Sequence, residues 1–115
     1  MPIEWITYAG MTPELRLQIR GTTEGMFRQT TRKYINMIGQ ENFEHLSVGE
    51  RDAMMNTIMA EAYVLDWGGA LYPNGNPMPY SASSMALMLA KDPYLVAFLS
   101  DQAERLNPGW SNRQA

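Results

Sequence analysis

Apolar and polar residues alternate without a break over Leu15-Arg16-Leu17-Gln18-Ile19-Arg20. Period two predicts a strand that buries Leu15, Leu17 and Ile19 on one face. Ile3-Glu4-Trp5-Ile6-Thr7-Tyr8 is rich in β-branched and aromatic residues and is its natural partner. Ala9-Gly10-Met11-Thr12-Pro13 would make the turn between them. The first twenty residues therefore read as a β-hairpin. A second reading starts a helix at Thr12-Pro13-Glu14 with Thr12 as N-cap, and the unbroken alternation after it favours the strand. A lone hairpin is marginal in water, so it must pack on the helices or on a partner.

Gly21 ends the alternation and a helical period takes over. Thr22 or Thr23 caps the first helix, and Glu24 suits its N-terminal dipole. Phe27, Tyr34, Met37 and Ile38 fall on one face, with Arg28, Arg32 and Lys33 to the side. Gly39 closes this helix. Ser47-Val48-Gly49-Glu50 is a capping box that opens the second. Its stripe of Met55, Ile58, Met59, Ala62 and Leu65, widened by Met54, predicts a helix to about Asp66. Tyr63 and Val64 extend the apolar surface, so this end should be the most buried.

The stretch 66–81 breaks the helical pattern. Pro73, Pro77 and Pro79 deny it a helix, and Asn74-Gly75 is a strong turn signal because both residues tolerate positive φ. Trp67, Leu71, Tyr72 and Tyr80 give it more apolar mass than a loose linker carries. It reads as an ordered connection with Asp66, Trp67, Asn74, Gly75, Tyr80 and Ser81 as structural anchors. Gly68 is read as the C-terminal glycine of the preceding helix. Ser81 or Ser83 then caps a short helix with Met85, Leu87, Met88 and Leu89. Asp92-Pro93 starts a last helix to about Leu106, carrying Leu95, Phe98 and Leu99. Asn107-Pro108-Gly109 stops it, Trp110 folds back on the body, and residues 111–115 form a flexible tail. The predicted fold is α+β, mainly α, with the hairpin at 1–20 and about four helices over 21–110 in a single domain.

Composition narrows the function classes. The chain has 115 residues and a net charge of −3. Residues 1–40 hold five basic and three acidic side chains, and the remainder four basic and nine acidic. Nucleic-acid binding calls for a stronger positive footprint than Arg28, Arg32 and Lys33 supply. No apolar run approaches the ~20 residues that span a bilayer, and the start lacks signal-peptide features. With no cysteine, thiolate metal sites and cysteine nucleophiles are excluded, and an intracellular setting fits best.

Enzyme signatures are missing. His45 is the only histidine, too few ligands for a metal site. No nucleophile elbow and no phosphate-cradling loop occurs. Glu61 and Asp66 are five apart and do not share a helical face. The expectation is a non-enzyme with no cofactor. Methionine is the outlier, with ten residues. It fills irregular core gaps and also suits adaptable binding surfaces. Met54, Met55, Met59, Met85 and Met88 are the candidate partner-binding residues.

Val64-Leu65-Asp66-Trp67, then Asn74-Gly75, then Pro79-Tyr80-Ser81, then Asp92-Pro93 leading to Leu95 and Phe98, is an order of elements that resembles the tail assembly chaperones of tailed bacteriophages. The resemblance covers roughly residues 60–100 closely and 1–45 in outline. Gly68-Gly69 and the apolar Ala70-Leu71-Tyr72-Pro73 depart from the group's pattern. The resemblance implies a non-catalytic chaperone that binds tape-measure and tail-tube proteins during tail morphogenesis. It implies a place in the host cytoplasm, absence from the finished virion and a second, frameshifted form, and self-association is a further partner expectation. The alternatives are a small head–tail or tail component of the particle, or a small regulatory binding protein or enzyme. No nucleic-acid or membrane partner is expected.

Overall fold

The computed structural model describes residues 3–22 and 24–106. The predicted Trp110 contact, the helix stop at 107–109, the tail at 111–115 and the Thr23 cap lie outside the described residues. The element order is β1 (Ile3–Tyr8), β2 (Leu15–Arg20), α1 (Glu24–Ile38), α2 (Gln40–Glu44), α3 (Val48–Tyr63), β3 (Val64–Gly68), α4 (Ala82–Lys91) and α5 (Pro93–Leu106). The α+β, mainly α class stands, with the hairpin where the alternation put it. β1 pairs antiparallel with β2 in the register Ile3↔Arg20 to Tyr8↔Leu15. Thr12-Pro13 lies in the hairpin loop, so the alternative helix start is not formed. Leu15, Leu17 and Ile19 are fully buried, as period two requires.

Two elements correct the sequence reading. The second predicted helix ends at Tyr63, not near Asp66, and Val64–Gly68 is a third strand. It pairs antiparallel with β2, Leu17↔Trp67 and Ile19↔Val64, with a bulge opposite Gln18/Ile19. Leu65 therefore leaves the helical stripe. Gly68 is a strand residue, not a helix C-cap. The last carbonyls of α3 are satisfied from β2 instead. Arg20 Nε donates to Ala62 O at 2.9 Å, and Thr22 Oγ1 donates to the same oxygen at 2.7 Å. Arg20 Nη2 reaches Glu61 O at 3.4 Å. A cation and a hydroxyl at the negative end of a helix do what a C-terminal glycine would otherwise do. β-branched Val64 can then turn directly into an extended strand. The second correction is α2, a short helix that brings the number among the described residues to five.

The core lies between the inner face of the sheet and the C-terminal half of α3, α4 and α5. Ile6, Leu15, Leu17, Ile19, Val64 and Trp67 meet Met59, Met85, Leu89, Leu95 and Leu99 there. Asp92 ties the layers together. Its Oδ1 accepts from the backbone N–H groups of Tyr94 (3.1 Å) and Leu95 (3.3 Å), capping α5. Its Oδ2 accepts from Tyr8 Oη at 2.9 Å, fastening β1 to the helix start. Burial and that bond raise the Tyr8 phenol above its ordinary pKa.

α1, α2 and the first half of α3 form an arm outside this core. Neither α1 nor α2 buries a residue, and burial along α3 begins at Ile58. The arm joins the body through Phe27, stacked on Tyr63 at 5.7 Å, and through Glu61, which accepts from Lys33 and Tyr34. Met37 and Ile38, on the predicted apolar face of the helix, are exposed.

Candidate partner-binding surface

Positions 52, 55, 56 and 59 follow the i, i+3, i+4, i+7 spacing, so α3 presents Asp52, Met55, Asn56 and Met59 along one line. Opposite them stand Leu89 and Ala90 at the end of α4 and Pro93 and Val96 at the start of α5. Together they line a groove of about 390 Å³. Met59 and Leu89 are buried and lie deep in it; Met55, 44% exposed, stands at its rim. Asp52 and Asn56 supply polar groups. An apolar floor with a polar edge has the chemistry to take an amphipathic helix.

The five candidate methionines do not form one surface. Met55 and Met59 share the groove. Met54 and Met88 are half-buried, and Met88 packs against the core. Met85 is fully buried, on the side of α4 that also buries Ala86 and Leu89 in the core. It offers no surface to a partner and fills the core. Leu89, Ala90, Pro93 and Val96 were not among the predicted partner-binding residues; Leu89 was read as part of the apolar side of its helix and Asp92-Pro93 only as a helix start. The arm adds exposed apolar side chains outside the five candidates, Val48 at 78% and Met37 at 70% exposed. Val48 directly follows a predicted N-cap, a first-turn position where solvent contact is ordinary, so this signal was legible.

The connection at 66–81 is held by side chains. Trp67, 7% exposed, donates from Nε1 to Met78 O at 2.8 Å and meets the Tyr80 ring edge-on at 5.3 Å. Tyr80 Oη donates to Val64 O at 3.0 Å. Burial, aided by the Asp66 carboxylate, pushes the Tyr80 phenol up to about 12, and burial does the same to Tyr63. Asp66 Oδ1 accepts from Trp67 N–H at 2.8 Å. The chain reverses at Tyr72-Pro73-Asn74-Gly75, closed by Gly75 N–H to Tyr72 O at 2.8 Å. Pro73 and Asn74 occupy the centre of this turn. Of the four turn residues only Gly75 takes positive φ, at 89°. Asn74 acts through its side chain, whose Oδ1 accepts from Asn76 N–H at 3.0 Å. Ser81 Oγ accepts from Ser84 N–H and caps α4, resolving the choice between Ser81 and Ser83.

His45 is exposed at the end of α2. Among the described residues no group of three or more His, Asp or Glu side chains is placed to hold a metal ion. No helix among them is long and apolar enough to cross a membrane. Arg28 and Arg32 line shallow depressions on α1, and Arg28 is paired with Glu24 at 2.9 Å.

A family model described as YdaY prophage protein matches residues 22–114. The chain belongs to that family, and its origin is phage-derived. No curated protein matches it, and no solved structure matches it.

Proposed function

We propose that this member of a prophage family is a non-catalytic tail assembly chaperone. It holds a helical segment of the tape-measure protein, and tail-tube subunits, during tail building in the host cytoplasm, and it leaves before the particle is finished. The observation that carries the reading is the groove between α3 and the α4–α5 junction, with Met55 and Met59 on one side and Leu89, Pro93 and Val96 on the other. Unbranched, polarisable methionine adapts to a client that must also be released. The prophage family supports the phage setting, and the sequence pattern from Val64 to Phe98 supports the tail assembly role.

The test is co-expression with the tape-measure protein of the same prophage, followed by affinity capture of the chaperone. The tape-measure protein is expected to co-purify. Met55→Glu places a charge at the groove rim and should weaken capture by at least about tenfold, equivalent to ~1.4 kcal/mol. Undiminished capture by that variant would remove the groove from the mechanism. Mass spectrometry of purified particles separates the main alternative: a chaperone is missing from them, whereas a head–tail or tail component is present in stoichiometric amount.

A further inference from the structure

The two edges of the sheet are treated differently. The strand order is β1-β2-β3, so β1 and β3 are the outer strands. The β3 edge is blunted by its own side chains. Asp66 takes the Trp67 N–H, and Tyr80 donates to Val64 O. Leu71 and Pro77 close a bridge beyond it. No described strand pairs with the outer edge of β1. That edge carries no proline, no lysine and no bulge, and its one charge, Glu4, is neutralised by Arg105, so little guards it against edge pairing.

The ladder fixes which groups face outward. Trp67 N–H is bound by Asp66, so the Leu17↔Trp67 pair is the one whose backbone groups turn away from each other. Leu17 then bonds towards β1 and pairs with Ile6. By alternation Ile3, Trp5 and Thr7 direct their N–H and C=O groups to the open edge. Their side chains share the sheet face opposite the core, where Ile3 and Trp5 are exposed and the Arg16 guanidinium lies 5.6 Å from the Trp5 ring centre.

We propose that β1 pairs with β1 of a second copy, antiparallel across a twofold axis, joining two three-stranded sheets into one of six strands. The register that uses all three outward residues sets Trp5 opposite the partner's Trp5, and Ile3 opposite the partner's Thr7. The occupant is set by the edge itself. A closed twofold interface needs a self-complementary patch, and these three residues bring no charge, so no like charges meet across it. Glu4, the one charge of β1, is already paired with Arg105 at 2.8 Å. The pairing covers the exposed Ile3 and Trp5 and satisfies a row of backbone groups at once. It is independent of the groove, which lies on the helical side of the molecule.

Sedimentation equilibrium of the full chain is expected to give a dimer. Trp5→Lys puts a charge on the axis and should leave a monomer whose circular dichroism is unchanged. The chain has no cysteine, so Trp5→Cys gives a second, positive readout. A hydrogen-bonded antiparallel pair sets Cα atoms about 5.5 Å apart, within disulfide range. Mild oxidation should cross-link Trp5→Cys at least about tenfold faster than Thr7→Cys, whose position meets residue 3 and not itself. A monomeric parent chain, a dimer that survives Trp5→Lys, or equal cross-linking at the two positions would each overturn the proposal. A dimer lost instead on Met37→Glu or Val48→Glu would move the interface to the arm.

Discussion

The arm and the body of this chain are built from the same residue types with opposite outcomes. In the body, Leu15, Leu17, Ile19, Met85, Leu95 and Leu99 are fully buried between the sheet and three helices. In the arm, α1 and α2 bury nothing, and Met37, Ile38, Val48 and Met55 stay exposed. The difference is partnership. Each body helix has the sheet or another helix against its apolar stripe, whereas the arm's helices have chiefly one another. The arm's own bonds are local. Arg51 lies over the Phe43 ring at 5.0 Å and reaches the Phe43 and Glu44 carbonyls, and Ser47 and Glu50 complete the predicted capping box. A segment ordered by local bonds with little burial contributes shape more than global stability.

One substitution in each region puts the contrast at greatest risk. Trp67→Ala removes a buried indole, its bond to Met78 O and its edge contact with Tyr80. It should destabilise the fold by about 3–5 kcal/mol in urea unfolding. Met37→Glu in the arm should stay within about 0.5 kcal/mol of the parent. Equal losses would mean that the arm is a full part of the core. A null result at Trp67 would contradict its burial.

These two positions also show what the sequence could convey. Trp67 was legible as an anchor because a tryptophan amid turn formers needs somewhere to pack, and its burial gives it one. Met37 was legible only as part of an apolar face, because helical periodicity reports a face and not whether anything covers it. The same limit explains α3. The stripe from Met55 to Leu65 is continuous in sequence, and nothing local says that Arg20 and Thr22, some forty residues earlier, will take the carbonyls at its end. Strand β3 exists because β2 has an open side, a tertiary fact. The groove was half legible: Met55 and Met59 were singled out, but Leu89, Pro93 and Val96 join them only once α3 and α4 pack. Asn74-Gly75 gave the place of the reversal and the wrong mechanism, since Asn74 works by its side chain.

A smaller effect probes the body's internal joint. Asp92→Ala removes the α5 cap and leaves the Tyr8 hydroxyl without its Asp92 acceptor. The expected cost is about 0.5–2 kcal/mol, that of a lost N-cap. Asp92→Asn keeps an oxygen for the cap and an amide beside Tyr8, and should recover most of the loss. If Asp92→Asn is as damaging as Asp92→Ala, the charge itself matters more than the cap geometry.

The smallest effect sits at the joint between the two regions. Partial burial pushes the Glu61 carboxyl up, but hydrogen bonds from Lys33 and Tyr34, with the fields of Lys33 and Arg20, outweigh it and hold the group below its ordinary value. A depressed carboxylate contributes stability that is present above its unfolded pKa, near 4.5, and is lost as pH falls through the folded value. The pair is partly exposed, so its worth is at most about 1 kcal/mol. Glu61→Gln should therefore lower the urea midpoint slightly at pH 7 and flatten its fall on acidification below about pH 5. Amide exchange supplies a local readout of the same joint. Glu61 lies on α3 where burial has begun, while Lys33 and Tyr34 lie on α1. Loss of the carboxylate should speed amide exchange along α1 and leave β2 and α5 unchanged. Faster exchange throughout the molecule would instead show arm and body opening as one cooperative unit.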